Sequence, residues 1–237
     1  MATFSYAKDL ADLAAANSTY RPQLLVILSK IGQPRYAHFI AKFADSESEE
    51  LRLAVACALG VIKQQSGIPV LGLLLEDANS SVRWAASTSL VGIAGERVVE
   101  TARLRIHHPS KEIQALAART LGCLGVTEGL SVLRRLARVA EEPRTRSIAN
   151  AFLGQLKDHE SRPIIVAGLK DKSMLVRTYA IYALGFVGQA GDIPAIEACL
   201  FEAKTTAPAP ADTEAMELID ETTRESLEQI RSRFAEK

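Results

Sequence analysis

Along this chain the apolar positions follow two nested periods. The inner one is helical. In the stretch Leu51 to Ile62, Leu51, Val55, Leu59 and Ile62 stand at block positions zero, four, eight and eleven, which share one face of a helix. The outer period is about 31 residues. Blocks begin at Tyr20, Leu51, Val82, Ile113, Thr145 and Val176, in steps of 31, 31, 31, 32 and 31. Position eight is Leu28, Leu59, Leu90, Leu121, Leu153 and Leu184, without exception. Position eleven is Ile31, Ile62, Ile93, Leu124, Leu156 and Val187. Position nine is glycine in four copies, Gly60, Gly122, Gly154 and Gly185, where a missing side chain permits close packing. Each block is predicted to be an amphipathic helix with a buried stripe.

A second helix is predicted between blocks. Ile68-Pro69-Val70-Leu71 opens one, with proline in the first turn, where its missing N–H costs nothing. Ile164 to Asp171 and Ile193 to Ala198 follow the same plan. One hairpin cannot bury its apolar faces alone, but stacked hairpins can, so the expected fold is all-α: a right-handed α-solenoid. The expected organisation is a capping helix over residues 1–17, a repeat array over 18–203, a flexible Pro/Ala/Thr loop over 204–213 and a helical cap over 214–237. Thr223-Arg224-Glu225-Ser226-Leu227 echoes a block start, but Arg231 stands where the leucine belongs.

Composition narrows the function classes. Apolar residues make up 48% of the 237 residues and aromatics 5%, which suits close-packed helices. Lys plus Arg total 28, as do Asp plus Glu, and this balance argues against a protein built for nucleic acid or an anionic membrane. Three widely spaced cysteines make no disulfide framework. Met1 to Tyr6 lacks a basic region followed by an apolar run, and no stretch is long enough to span a bilayer. A cytoplasmic protein is expected.

The motif Val/Leu-Arg-x-x-Ala-x-x-Ala-Leu-Gly-x-Ile, preceded by an Asp and a short turn, resembles the HEAT-like repeat, in the compact form named after phycobilisome lyases. The resemblance covers residues 18–203. It implies that the arginines at position one, Arg21, Arg52, Arg83, Arg146 and Arg177, line the concave face and reach an Asp of a turn, forming a structural ladder. Asp77 precedes Arg83 and Asp171 precedes Arg177. Gln114 breaks the ladder, and His107-His108 stands where an Asp is expected, so the fourth repeat is expected to differ locally.

The same resemblance implies that positions two, six and ten face the concave groove. This row is apolar for an exposed helix face: it holds Leu53, Val61, Trp84, Tyr182 and Phe186, with Thr88 and Arg119. Exposed apolar patches mark partner sites, and Trp, Tyr and Arg are enriched in binding hot spots. Leu53, Trp84, Thr88, Arg119, Tyr182 and Phe186 are therefore the candidate partner-binding residues, for a helix or loop of another protein. The competing expectation is that curvature buries them against one another. A basic middle, from Arg103 through Arg105, Lys111, Arg134, Arg135, Arg138 and Arg144 to Arg146, suits an acidic partner or phosphates, or forms solvated helix faces.

Motifs of catalysis are missing. His107 and His108 adjoin, and adjacent helical residues do not face one way. Deoxyhypusine hydroxylases of HEAT type carry several His-Glu pairs for two irons, and this chain has one, His159-Glu160. No phosphate loop or nucleophile elbow occurs. The expectation is a scaffold that binds a partner protein without cofactor, metal or catalytic residue. The alternative implied by the resemblance is a phycobilin lyase subunit holding a linear tetrapyrrole. A second alternative is nucleic-acid binding through the basic middle.

Overall fold

The computed structural model describes residues 20–206 and 213–235, and among these every regular element is a helix. The expected capping helix over residues 1–17 lies outside the described residues, as do residues 207–212 of the expected loop. The chain divides at Val126–Thr127 into two compact units, and the expected array spans both.

The first unit contains α1 (Arg21–Ile31), α2 (Arg35–Ala41), α3 (Glu49–Ile62), α4 (Ile68–Leu74), α5 (Ser80–Ile93), α6 (Glu96–Arg103) and α7 (Lys111–Cys123). The block helices α1, α3, α5 and α7 pack side by side in chain order, with α2, α4 and α6 laid against them. The second unit contains α8 (Thr127–Val139), α9 (Pro143–Gln155), α10 (Arg162–Gly168), α11 (Met174–Val187), α12 (Ile193–Thr206) and α13 (Thr213–Ala235). Here α9, α11 and α13 pack side by side, with α8, α10 and α12 as the second layer. Stacked helical hairpins of this kind are the α-solenoid class.

Local chemistry starts these helices where the period predicts. The Ser48 hydroxyl accepts from Leu51 N–H, the Asn79 carbonyl from Ser81 and Val82 N–H, and the Ser110 hydroxyl from Ile113 N–H. Such caps contribute about 1 kcal/mol each. Prolines open α1, α4, α9 and α10. The chain leaves α3 through Lys63 at φ 54° and α1 through Gly32 at φ 72°, left-handed residues that stop each helix.

All six position-eight leucines are at most 1% exposed. At position eleven, Ile62 and Val187 are buried while Ile93, Leu124 and Leu156 are half-buried. In the first block, Tyr20 and Ile31 are exposed. Glycine at position nine works by absence: a Cβ on Gly60 would lie 2.6 Å from the Ser89 Cβ, and one on Gly154 2.6 Å from the Ala183 Cα. In α13 the buried stripe is Ile219, Thr223, Ser226 and Ile230. The stripe runs through Ile230, so Arg231 turns outward and ion-pairs with Glu197 at 3.1 Å.

Candidate functional site

The arginines of the block helices do two jobs at once. Arg52 Nη1 donates to the carbonyls of Ser46 and Glu47 in the turn before its own helix. Its Nε and Nη2 grip both oxygens of Asp77, 25 residues on, at 2.6 and 3.0 Å. Arg146 repeats this with the carbonyls of Ala140 and Glu141 and with Asp171, again 25 residues on, at 2.9 and 3.0 Å. Each Asp also holds its turn, accepting from Asn79 N–H or Ser173 N–H. The Arg52 hydrogen bonds hold the Asp77 carboxyl below its usual pKa. At Asp171 burial opposes ionisation, yet the hydrogen bonds from Arg146 and Ser173 keep its pKa lowered.

The residue 25 after Arg83 is His108. Its Nδ1 accepts from Ser110 N–H at 3.0 Å, so the imidazole keeps the turn that the Asp makes elsewhere. An imidazole offers no pair of oxygens to a guanidinium. Arg83 pairs with Glu112 instead, at 2.7 Å, while its Nη1 donates to the carbonyls of Asp77 and Ala78. Gln114 takes the carbonyl contact one step on, donating to His108 O. Arg177 donates to the carbonyls of Asp171 and Lys172, and Arg21 lies over the Phe43 ring at 5.1 Å.

The candidate binding residues divide between the units: Leu53, Trp84, Thr88 and Arg119 in the first, Tyr182 and Phe186 in the second. In the first unit the row stays open. Val61 is 57% and Trp84 44% exposed, Thr88 is exposed and Leu53 half-buried. Position two of α7 is Ala115, which is fully buried. Arg119, on α7, lies over the Trp84 ring of α5 at 4.5 Å and donates to the Ser87 hydroxyl at 3.1 Å. Ser87 in turn meets the Thr120 hydroxyl at 3.0 Å. Burial lowers the Arg119 pKa, opposed by Cys123 one turn on. The guanidinium remains a cation, fixed in place and partly stripped of water.

In the second unit the same row folds in on itself. Ser147, Ala151 and Thr178 are buried. Tyr182 packs edge-on against Phe186 at 5.2 Å and against Tyr179 at 6.4 Å, and its hydroxyl accepts from Gln155 at 3.1 Å. Arg233 of α13 donates to the carbonyls of Phe186 and Leu184, closing the end of α11.

The HEAT-repeat family matches residues 36–104, 68–151 and 100–172, together more than half of the chain. The chain belongs to the HEAT-repeat family. Solved structures agree on the fold of this HEAT-repeat protein. The Escherichia coli protein YibA is 18% identical, with 92% of each chain covered and a TM-score of 0.53. The complex of CpcE and CpcF of phycocyanin lyase from Nostoc sp. PCC7120 is 19% identical, covering 90% of this chain and 94% of that one, with a TM-score of 0.50. Human deoxyhypusine hydroxylase is 16% identical over 98% of this chain and 99% of its own, with a TM-score of 0.47. No characterised protein matches at the level of sequence. At such identities the likeness to YibA and to the CpcE–CpcF complex is one of fold.

Sequence reasoning missed a second set of ties in this HEAT-repeat protein. Arg134 grips Asp158 at 2.7 and 2.5 Å and Glu160 at 2.9 Å, and Arg162 grips Asp192 at 2.7 and 2.5 Å. The separations are 24 and 30 residues, so no fixed period reveals them. Arg105 pairs with Glu76 at 2.8 Å. Several cations of the basic middle are thus internal ties. Cys57 and Cys123 are exposed, and Cys199 is buried with its thiol donating to Leu169 O. Burial raises the pKa of the Cys199 thiol. Among the described residues no three His, Cys, Asp or Glu side chains gather as a metal site, and no helix is long and apolar enough to cross a membrane.

Proposed function

We propose that this HEAT-repeat protein is a binding scaffold that holds a segment of another protein on the outward face of α3, α5 and α7. The observation that carries this reading is Trp84, 44% exposed in the middle of a packed helical layer and stacked on Arg119. A large apolar side chain left in water on a rigid face is free energy released when a partner covers it. The helices are already held by capped turns and by the Arg52–Asp77 tie, so little order remains to be imposed on binding. Leu53, Trp84, Thr88 and Arg119 form the primary contact. Tyr182 and Phe186 offer a separate, smaller contact in the second unit.

The test is a pull-down of tagged wild type, Trp84→Glu and Tyr182→Glu from native cells, with thermal midpoints checked and eluate absorbance recorded. The expected result is a protein partner lost with Trp84→Glu at unchanged midpoint. Partners retained equally by all three proteins place binding on another face. A coloured eluate replaces the protein segment by a chromophore such as a linear tetrapyrrole.

A further inference from the structure

Resting on that reading, we propose that the first-unit face selects a peptide segment of one chemistry: an acidic side chain set against Arg119, flanked by apolar side chains that cover Trp84, Val61 and Leu53. The argument is charge complementarity on a desolvated surface. Positions two, six and ten of α3, α5 and α7 make nine sites. None is acidic, and one, Arg119, is basic. Its guanidinium is half-buried and braced from two sides, by the Trp84 ring at 4.5 Å and the Ser87 hydroxyl at 3.1 Å. A cation held where water is partly excluded attracts a carboxylate more strongly than one in bulk water, and a fixed fork loses less entropy in the pairing.

The surrounding charges point the same way. Lys63 ends α3 in the left-handed conformation, and its Cε lies 3.9 Å from where a Gly92 Cβ would sit, so its ammonium stem runs onto the end of α5. Glu49 and Glu50 stand at the opposite, N-terminal end of α3, and Glu112 at the start of α7 is engaged by Arg83. The acidic group of the ligand therefore belongs toward the C-terminal halves of these helices. Three adjacent helices at about 9–10 Å spacing span about 20 Å, the reach of roughly six extended residues. This is the footprint of a peptide segment.

Trp84 is the only tryptophan of the chain, so its fluorescence reads the site directly. Random dodecapeptides displayed on phage would be selected on the full chain, and the selected peptides synthesised and titrated against the Trp84 signal. The expected result is enrichment of Asp and Glu beside Leu, Ile or Phe. Binding should weaken at least tenfold in Arg119→Gln and with added salt of about 0.5 M, with partial retention in Arg119→Lys. Peptides that shift Trp84 and need it, yet show no acidic enrichment and ignore Arg119→Gln, would overturn this inference and leave the scaffold face standing. Peptides indifferent to both Trp84→Ala and Arg119→Gln would overturn both. A selection that yields no binder would overturn the acidic-peptide proposal.

Discussion

Trp84 and Tyr182 occupy outward register positions of the same repeat, one in each unit, and they meet different fates. Trp84 is left in water with Arg119 across its face. Tyr182 is half-buried, wedged between Phe186 and Tyr179 and tied to Gln155. The neighbours account for the difference. In the second unit Ser147, Ala151 and Thr178 are small and buried, and the aromatic side chains pack together along α11. In the first unit Cys57, Val61, Thr88 and Cys123 remain exposed around Trp84's register row. An aromatic at an outward position thus stays open where its neighbours leave it exposed and packs against them where they close over it.

The ladder separates the units too. The second unit carries Arg146–Asp171, Arg134–Asp158 and Arg162–Asp192. The first carries Arg52–Asp77, then meets His108 at the next rung and falls back on Arg83–Glu112. The layer that presents Trp84 and Arg119 is the one whose next rung lacks its carboxylate.

Substitutions break or sharpen this comparison. The largest effect is expected in the core that both units share. Leu121→Ala and Leu153→Ala should each cost about 2–5 kcal/mol by urea denaturation, and an unchanged midpoint for either would remove position eight from the core of that unit. Next comes the ladder. Asp77→Asn and Asp171→Asn should each cost about 1.5–3 kcal/mol at neutral pH, the range for hydrogen bonds to charged groups. Their folded pKa values are depressed, so their stabilisation is fully present above the unfolded carboxylate value of about 3.9. It is lost as pH falls through the folded value. The gap between wild type and Asp77→Asn should therefore be flat from about pH 5 to 7 and close in stronger acid, and a gap that instead widened in acid would assign the wrong sign to the tie.

Smaller effects test the faces themselves. Tyr182→Ala should cost about 1–2 kcal/mol through its two ring contacts, whereas Trp84→Ala should cost below about 1 kcal/mol, the scale of an exposed cation–π pair. Equal losses in thermal unfolding would erase the contrast between the faces. His108→Asp supplies the carboxylate that Arg83 lacks. Because Glu112 already occupies that arginine, the gain should be at most about 1 kcal/mol, read as a raised thermal midpoint.

Much of the fold was legible because periodicity is a one-dimensional signal. The recurrence of leucine at position eight marks the core directly. The repeat alignment made His107-His108 visible as a departure and set Asp77 before Arg83 and Asp171 before Arg177. Those arginines reach the aspartates' backbone carbonyls, whereas each carboxylate is gripped by the arginine one repeat earlier, Arg52 or Arg146, a pairing that only the folded chain shows. Arg134 was read only as part of the basic middle, and the pairs Arg134–Asp158 and Arg162–Asp192, which share no spacing, emerged only in the folded chain.

By itself, then, the sequence determined the helical repeat, its period, its inward stripe and the recurrence of arginine at position one, because each depends on residues a fixed distance apart along the chain. Only the tertiary structure decided the division at Val126–Thr127, the fate of each outward aromatic and the bracing of Arg119 by Trp84 and Ser87. Those depend on how closely neighbouring helices approach and on which side chains fill the space between them. Identity at one position does not carry that information, since it resides in the volumes and charges of residues a whole repeat away.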